Sequence, residues 1–321
     1  MRTYIARRLL QIIPVFIGII FILFFILDQA PGGPLAMMQN PRVTAEQKAA
    51  LEIRLGLNQP FYVKFVNWMG ELSRGNMGYS LTHKKPVLNV IGDFIGPTFI
   101  LMLSSLMLSV LIGVPLGILS AVKQYTWIDN VLTVAALVGL SLPSFFFGLL
   151  LLKAFAIDIP VFPLFGFQNP MLRKADFWTQ FWDKARHIVL PATMLGLSGM
   201  ASFMRYTRSS MLEVIKQDYV RTARAKGVKE SVVIFRHAFR NALIPIMTLL
   251  GFSIPGLISG AVITENVFGF PGIGKIAMDA IMQRNYPLIL GINAILSMLT
   301  LIAALLTDIA YAAVDPRVRF D

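Results

Sequence analysis

From Pro97 to Val122 the chain reads PTFILMLSSLMLSVLIGVPLGILSAV, without one charged side chain. A bilayer core is crossed by about 20 apolar residues, because a helix rises about 1.5 Å per residue through about 30 Å of hydrocarbon. This stretch reads as a membrane span, and the fold follows from how many such stretches there are. Five more appear, approximately Leu9 to Leu27, Val131 to Ile157 with Lys153 near its end, Ile188 to Met204, Ala242 to Ile263, and Leu288 to Ala312. Only helices and closed barrels satisfy their own backbone groups in lipid, and a barrel would show alternating segments about 10 residues long. The expected fold is all-α and polytopic, with six transmembrane helices.

Composition points the same way. Of 321 residues, 56% are hydrophobic and 14% charged, with a mean hydropathy of +0.67; a soluble domain carries about 25% charged residues. The net charge of +12 is scattered between apolar runs and forms no stripe with interleaved aromatics, so it suits anionic lipid and partner proteins, and no nucleic acid. With Cys at 0 and His at 3, disulfide frameworks, thiol nucleophiles and cysteine zinc sites are excluded, and no metal site is expected.

The first apolar run follows Arg2, Arg7 and Arg8 but is longer than a signal-peptide core. Asp28 to Gly33 offers no small-x-small cleavage site, so an uncleaved first helix is expected. With the N-terminus inside, the inside segments carry 15 Lys and Arg and the two short outside loops carry 6. Both termini are therefore placed in the cytoplasm. The long first outside loop adds 7 more, but long translocated segments largely escape this rule.

The chain divides into an N-terminal helix (1–29), an extracytoplasmic segment (30–96), and a five-helix core (97–321) holding a cytoplasmic loop at 205–241. In the outer segment, Thr44 to Glu52 reads as a capping box opening an amphipathic helix that Gly56 ends. A second helix is expected over Phe61 to Leu72, with Phe65 and Trp68 on its apolar face. Together they read as a cap on the outer mouth of a bundle or as a docking surface.

Pro14, Pro115, Pro143, Pro191, Pro245 and Pro255 fall within or beside the spans, with Ser141 and Ser144 flanking Pro143 and many small residues nearby. Kinked, closely packed helices follow, either as a tight bundle or as helices that rearrange around a central path. Strong charges are nearly absent from span centres, where each would cost about 2.5–3.5 kcal/mol. That argues against a proton pump, a voltage sensor or a charge-coupled carrier. Asp28, Lys153 and Asp308 lie near span ends, where solvation or pairing accounts for them.

Two motifs mislead. Gly269 to Lys275 has the glycine and lysine spacing of a phosphate-binding loop, but Ile276 stands where Ser or Thr would ligate magnesium. Leu197 to Met200 echoes part of an ATPase signature inside an apolar helix. His83, His187 and His237 form no H-E-x-x-H pair, and no G-x-S-x-G occurs, so no catalytic residue is assigned.

The most informative segment is Met211 to Val228, MLEVIKQDYVRTARAKGV. It reads as a short helix of good helix formers closed by a left-handed cap at Gly227. Leu212, Ile215, Tyr219 and Thr222 are expected on one face, with Lys216, Arg221 and Arg224 elsewhere. A second short helix then runs through Ile234 and Phe235 towards Asn241. Such a surface helix suits docking into a groove on another protein; a solvated basic loop is the other reading, and physics alone leaves both open.

This loop resembles the cytoplasmic loop of importer permeases of the ATP-binding-cassette superfamily, E-A-A-x-x-x-G with I-x-L-P nine residues later. Gly227 matches the glycine and Ala223 the second alanine, while Arg221, Thr222, His237, Phe239 and Arg240 depart from it. The departures resemble the peptide-permease branch, which reads R-T-A-R-A-K-G (here Arg221 to Gly227) and R-H-A-x-x-N-A-L-x-P (Arg236 to Pro245). Arg7-Arg8-Leu9 with Pro14, Ala30-Pro31-Gly32, Gly139 to Pro143, Glu265 to Gly274 and Asp308 to Arg317 agree; Asn285 departs, an acid being common there. The chain is similar to the B-type permease subunits of dipeptide and oligopeptide importers over nearly its whole length.

The resemblance implies a type I importer fold and a multi-pass protein of a prokaryotic cell membrane. It implies a second homologous permease, two cytoplasmic ATPases that bind ATP and magnesium, and an extracytoplasmic binding protein delivering peptides; this chain would hold no cofactor and catalyse nothing. Asp218, Tyr219, Thr222 and Ala223 would bear on a cleft of an ATPase, with Arg221, Arg224 and Lys226 at its rim and Gly227 setting the angle between two short helices. Ser141, Pro143, Ser144 and Asn293 are candidates for the substrate pathway. Related permeases move nickel, glutathione or oligosaccharides, and a stand-alone channel or carrier and an intramembrane enzyme are the alternatives of other classes.

Overall fold

The computed structural model describes residues 2–30, 58–80 and 82–314. The helix expected from Thr44 to Gly56 lies outside the described residues, as does Asp315 to Arg317. The described chain is almost entirely helical: α1 (Arg2–Gln29), α2 (Phe61–Ser73), α3 (Val87–Val122), α4 (Trp127–Ser141), α5 (Ser144–Leu152), α6 (Phe177–Ile215), α7 (Asp218–Ala225), α8 (Glu230–Val232), α9 (Arg240–Ser253), α10 (Gly256–Ser259), α11 (Val262–Val267), α12 (Ile273–Met282) and α13 (Tyr286–Val314). Two wider π turns, Lys153–Asp158 and Val233–Phe239, continue α5 and α8. A two-residue antiparallel hairpin pairs β1 (Tyr79–Ser80) with β2 (Lys85–Pro86).

Four helices, α1, α3, α6 and α13, are each long and apolar enough to cross a bilayer. Two bent pairs make six crossings when each counts as one: α4 with α5 at 103°, and the helix from Glu230 to Leu243 with Pro245–Ser253 at 51°. The larger bend has a local cause. Leu142 is extended, at ψ 128°, because proline denies its predecessor the helical region, and Pro143 follows at ψ 125° as the N-cap of α5. Pro14, Pro115 and Pro191 lie inside helices that continue through them.

Several boundaries differ from those expected. The second span begins at Val87, because Val87, Val90 and Ile91 have a core of their own to enter. The fifth is broken into α9, α10 and α11, with Gly260 at φ +80°. The residues from Arg205 to Ile215, expected in the loop 205–241, are the end of α6. At its other end, α6 is opened by Asp176, whose carboxylate accepts from the Thr179 backbone N–H at 3.0 Å and hydroxyl at 2.7 Å.

By contacts the described residues form two compact units, one within residues 1–98, 258–262 and 272–321 and the other within residues 99–257 and 263–271. In the first unit α1 packs along α13, and Phe61, Phe65 and Trp68 of α2 meet Phe21 and Phe24 of α1 edge-on or tilted, at 5.4–6.1 Å. The expected aromatic face of α2 is thus real, and Asp28 at the end of α1 pairs with Lys64. Val87, Val90, Ile273, Ile276, Leu288 and Ile292 form the main core there. In the second unit α6 is the central element, contacted by α4, α5 and α9. Leu9, Leu10, Ile13, Ile22 and Ile26 remain exposed along α1, which suits a helix whose solvent is lipid.

Candidate functional site

After α6 the chain makes a tight elbow. Lys216 caps the helix, Gln217 turns extended at ψ 150°, and α7 starts anew at Asp218. This break means that Leu212 and Ile215 do not share a helix face with Tyr219 and Thr222. Gln217 is why: its carbonyl accepts from the Val220 and Arg221 N–H groups at 3.0 and 3.2 Å, opening a new first turn.

α7 closes with a Schellman motif. Gly227 at φ +74° donates its N–H to the Arg224 carbonyl at 2.9 Å, and Val228 donates to the Ala223 carbonyl at 3.3 Å. The left-handed backbone favours glycine, as expected from the sequence. Val220 and Ala223 of α7 and Val233 beyond the turn are buried together, with Val214 and Val228 packed against them. Val220 has no exposed surface, and burying such a side chain contributes about 1.5–3 kcal/mol. Arg224 forks onto Glu230, with Nη2 2.6 Å from Oε1, yet such an exposed pair is worth only about 0.2–1 kcal/mol. The small apolar core therefore outweighs the ion pair in holding the elbow. The hydrogen bond to Glu230 raises the Arg224 pKa above its ordinary value.

The burial pattern sorts the residues singled out from sequence. Asp218, Tyr219, Arg221, Thr222, Arg224, Lys226 and Gly227 are exposed. Ala223 is not: it lies 8% exposed against Val220 and Val233, so it packs on its own chain. Tyr219 is held in place by Asn241, whose Nδ2 donates to the phenol oxygen at 3.0 Å. Phe235, in the π turn, is 60% exposed; it adds an apolar surface beside Tyr219's loop that the sequence alone did not single out, although its place in the loop was legible.

The four residues singled out as pathway candidates fall on different units. Ser141, Pro143 and Ser144 are exposed at the α4–α5 bend, where Ser141 donates its hydroxyl to the Leu137 carbonyl at 2.9 Å. Asn293 lies half-buried on α13 and donates to the Ile289 carbonyl at 2.8 Å. The phosphate-loop look-alike is spoken for differently: the Ile273 N–H at the start of α12 donates to Thr98 Oγ1 at 2.7 Å. Asn285 is buried and donates to Ser80 Oγ at 2.7 Å and Thr82 Oγ1 at 2.8 Å.

A helical membrane chain with an elbow between spans is a form many proteins share, and the sequence comparisons narrow it. Residues 113–320 match the family described as "Binding-protein-dependent transport system inner membrane component", and residues 1–102 match its companion, "Binding-prot-dependent transport system membrane comp, N-term". The chain belongs to this family. The permease is also 40% identical over 321 residues to the oligopeptide transport system permease protein AppB of Bacillus subtilis (strain 168), covering 100% of both chains. It is 37% identical to the dipeptide transport system permease protein DppB of Alkalihalophilus pseudofirmus, again over 100% of each. The glutathione transport system permease protein GsiC of Salmonella choleraesuis is 34% identical over the same share. The resemblance drawn from residues 221–245 is thereby borne out, and the permease is a multi-pass component of a bacterial-type inner membrane transport system.

Proposed function

We propose that this permease forms part of the translocation pathway of an ATP-driven importer for dipeptides and oligopeptides. A second permease completes the pathway, an extracytoplasmic binding protein delivers the peptide, and two cytoplasmic ATPases hold the ATP and magnesium. Both termini lie in the cytoplasm, as the Lys and Arg distribution supports. The permease has no energy-yielding chemistry of its own and holds no cofactor.

The observation that carries this reading is the elbow. Its inner side is closed by Val220, Ala223 and Val233, so the elbow keeps its form while Tyr219, Arg221, Thr222 and Phe235 face outward. A partner gripping that face moves α6 and α9 with it, which is a rigid displacement of packed helices. At the α4–α5 bend, Ser141, Pro143 and Ser144 offer neutral groups to a passing peptide, and Asn293 does the same on α13. A neutral path does not discriminate among side-chain charges, leaving selection to the binding protein.

The chain has no cysteine, so Tyr219→Cys and Arg221→Cys each introduce a unique thiol. Cross-linking either to a nucleotide-hydrolysing subunit, together with ATP-dependent uptake of a labelled tripeptide in proteoliposomes of the whole complex, is the expected result. Uptake that persists without nucleotide, or a thiol that never reaches such a subunit, overturns the reading. Uptake of glutathione or nickel in preference to every peptide overturns the cargo alone.

A further inference from the structure

Three residues on the last turns of α6 tie it to three other helices. Arg208 reaches Asp129 on the first turn of α4 with two bonds, Nε to Oδ1 at 2.8 Å and Nη2 to Oδ2 at 2.9 Å. The same carboxylate accepts from Ser120 Oγ on α3 and from the Tyr125 backbone N–H at 3.0 Å in the intervening turn. Asp129 is 2% exposed and Ser120 fully buried. Next to Arg208, Thr207 lies under Gly117 of α3, where an added Cβ would come 2.6 Å from both Thr207 Cβ and the Met204 carbonyl oxygen. Ser210 donates to the Ala242 carbonyl of α9 at 3.1 Å.

The carboxylate thus meets the two prongs of the guanidinium, the Ser120 hydroxyl and the Tyr125 N–H, with Thr133 Oγ1 at 3.5 Å, and losing Arg208 would leave a buried charge unmet. The junction lies within two turns of the elbow. We infer that the Asp129–Arg208 pair is a positioning strut: it makes the inner ends of α3, α4 and α6 move together when the elbow is displaced. Asp129 and Arg208 touch neither cargo nor nucleotide; they act through the helices they join. Ser120 and the Tyr125 N–H hold the carboxylate so that Arg208 cannot slide along it. This inference rests on the coupling role proposed for the elbow.

The test uses the complete importer in proteoliposomes. Spin labels on Tyr125→Cys and Lys216→Cys, both exposed, read the distance between the α3–α4 turn and the elbow, nucleotide-free and trapped with ATP and vanadate. The strut predicts one unchanged, narrow distance in both states, and in Asp129→Asn a distance that changes or broadens. Asp129→Asn is also expected to lower peptide taken up per ATP hydrolysed by about fivefold or more, with Arg208→Lys intermediate because it keeps the charge and loses the fork. A labelled distance that changes in the otherwise native chain, or an unaltered peptide-to-ATP ratio in Asp129→Asn, overturns the strut. Cross-linking of Tyr219→Cys to an ATPase, measured alongside, reports the coupling role separately: if it occurs, those failures sink the strut alone, and if it is absent, both fall.

Discussion

Val228 donates its backbone N–H to the carbonyl of Ala223 at 3.3 Å, across the reversal at Gly227. That bond makes α7 a closed unit, and it exists only because Gly227 sits at φ +74°. No atom lies within 4 Å of a Cβ added there, so a substitution at this position meets backbone strain and no clash. Gly227→Val is expected to cost about 1–2 kcal/mol, and Gly227→Asn less, since asparagine tolerates the left-handed region. Gly227→Pro loses both the conformation and the N–H that Arg224 accepts, and should abolish uptake. Uptake rates at matched membrane levels check this order: native, Asn, Val, Pro.

Ala223→Asp places a charge against Val220 and Val233, whereas Thr222→Asp, one residue earlier, places it in the open. The buried substitution is expected to open the elbow and expose residues 216–229 to protease in inside-out vesicles; the exposed one is expected to leave the cleavage rate within about twofold, as surface changes of this kind stay within about 0.5 kcal/mol. Equal protection in both variants would show that Ala223 does not face its own chain.

The Arg224–Glu230 pair joins the two short helices but is 41% and 55% exposed. A double-mutant cycle with Arg224→Ala and Glu230→Ala should give a coupling of about 0.2–1 kcal/mol, shrinking as salt is raised. A coupling well above that range, independent of salt, would mean that the ion pair rather than the valine core holds the elbow.

Gly117 and Gly92 both lie inside α3, yet only Gly117 has a neighbour in the way. Gly117→Ala is expected to destabilise by about 1–3 kcal/mol through overpacking against Thr207 and the Met204 carbonyl. Gly92→Ala, with nothing within 4 Å, is expected to be neutral or stabilising by up to about 1 kcal/mol, through helix propensity. Thermal unfolding of the purified permease in detergent separates the two.

What the sequence made legible follows from the range of the interaction that decides each feature. Hydropathy finds the four long spans and the apolar stretches of the two bent pairs, because transfer into lipid is a local sum over about 20 residues. Gly227 and Pro143 announce themselves, since each acts through its own φ. Phe65 and Trp68 are found by periodicity. The break at Gln217 is not, because no Gly or Pro marks it: Gln217 turns extended and its carbonyl opens a new first turn, which lets Val220 enter a core with Val233. Ala223 is assigned to a cleft by resemblance alone, and its burial against Val220 and Val233 comes from a fold-back of the chain that no local pattern reports. Asp129 and Arg208 stand 79 positions apart, and no local pattern joins them. Asp129 begins a span and Arg208 falls inside α6, so each alone passes for an ordinary flanking charge.

The uninterrupted length of α6 has a mechanical consequence. Its 39 residues extend about 58 Å at 1.5 Å each, from the aromatic turn at Phe177 to the doorstep of the elbow. A helix that long behaves as an oar: pivoted near its middle, a tilt of about 10° swings each tip by about 5 Å. A small displacement of the end at the elbow would therefore be matched by one of similar size at Phe177.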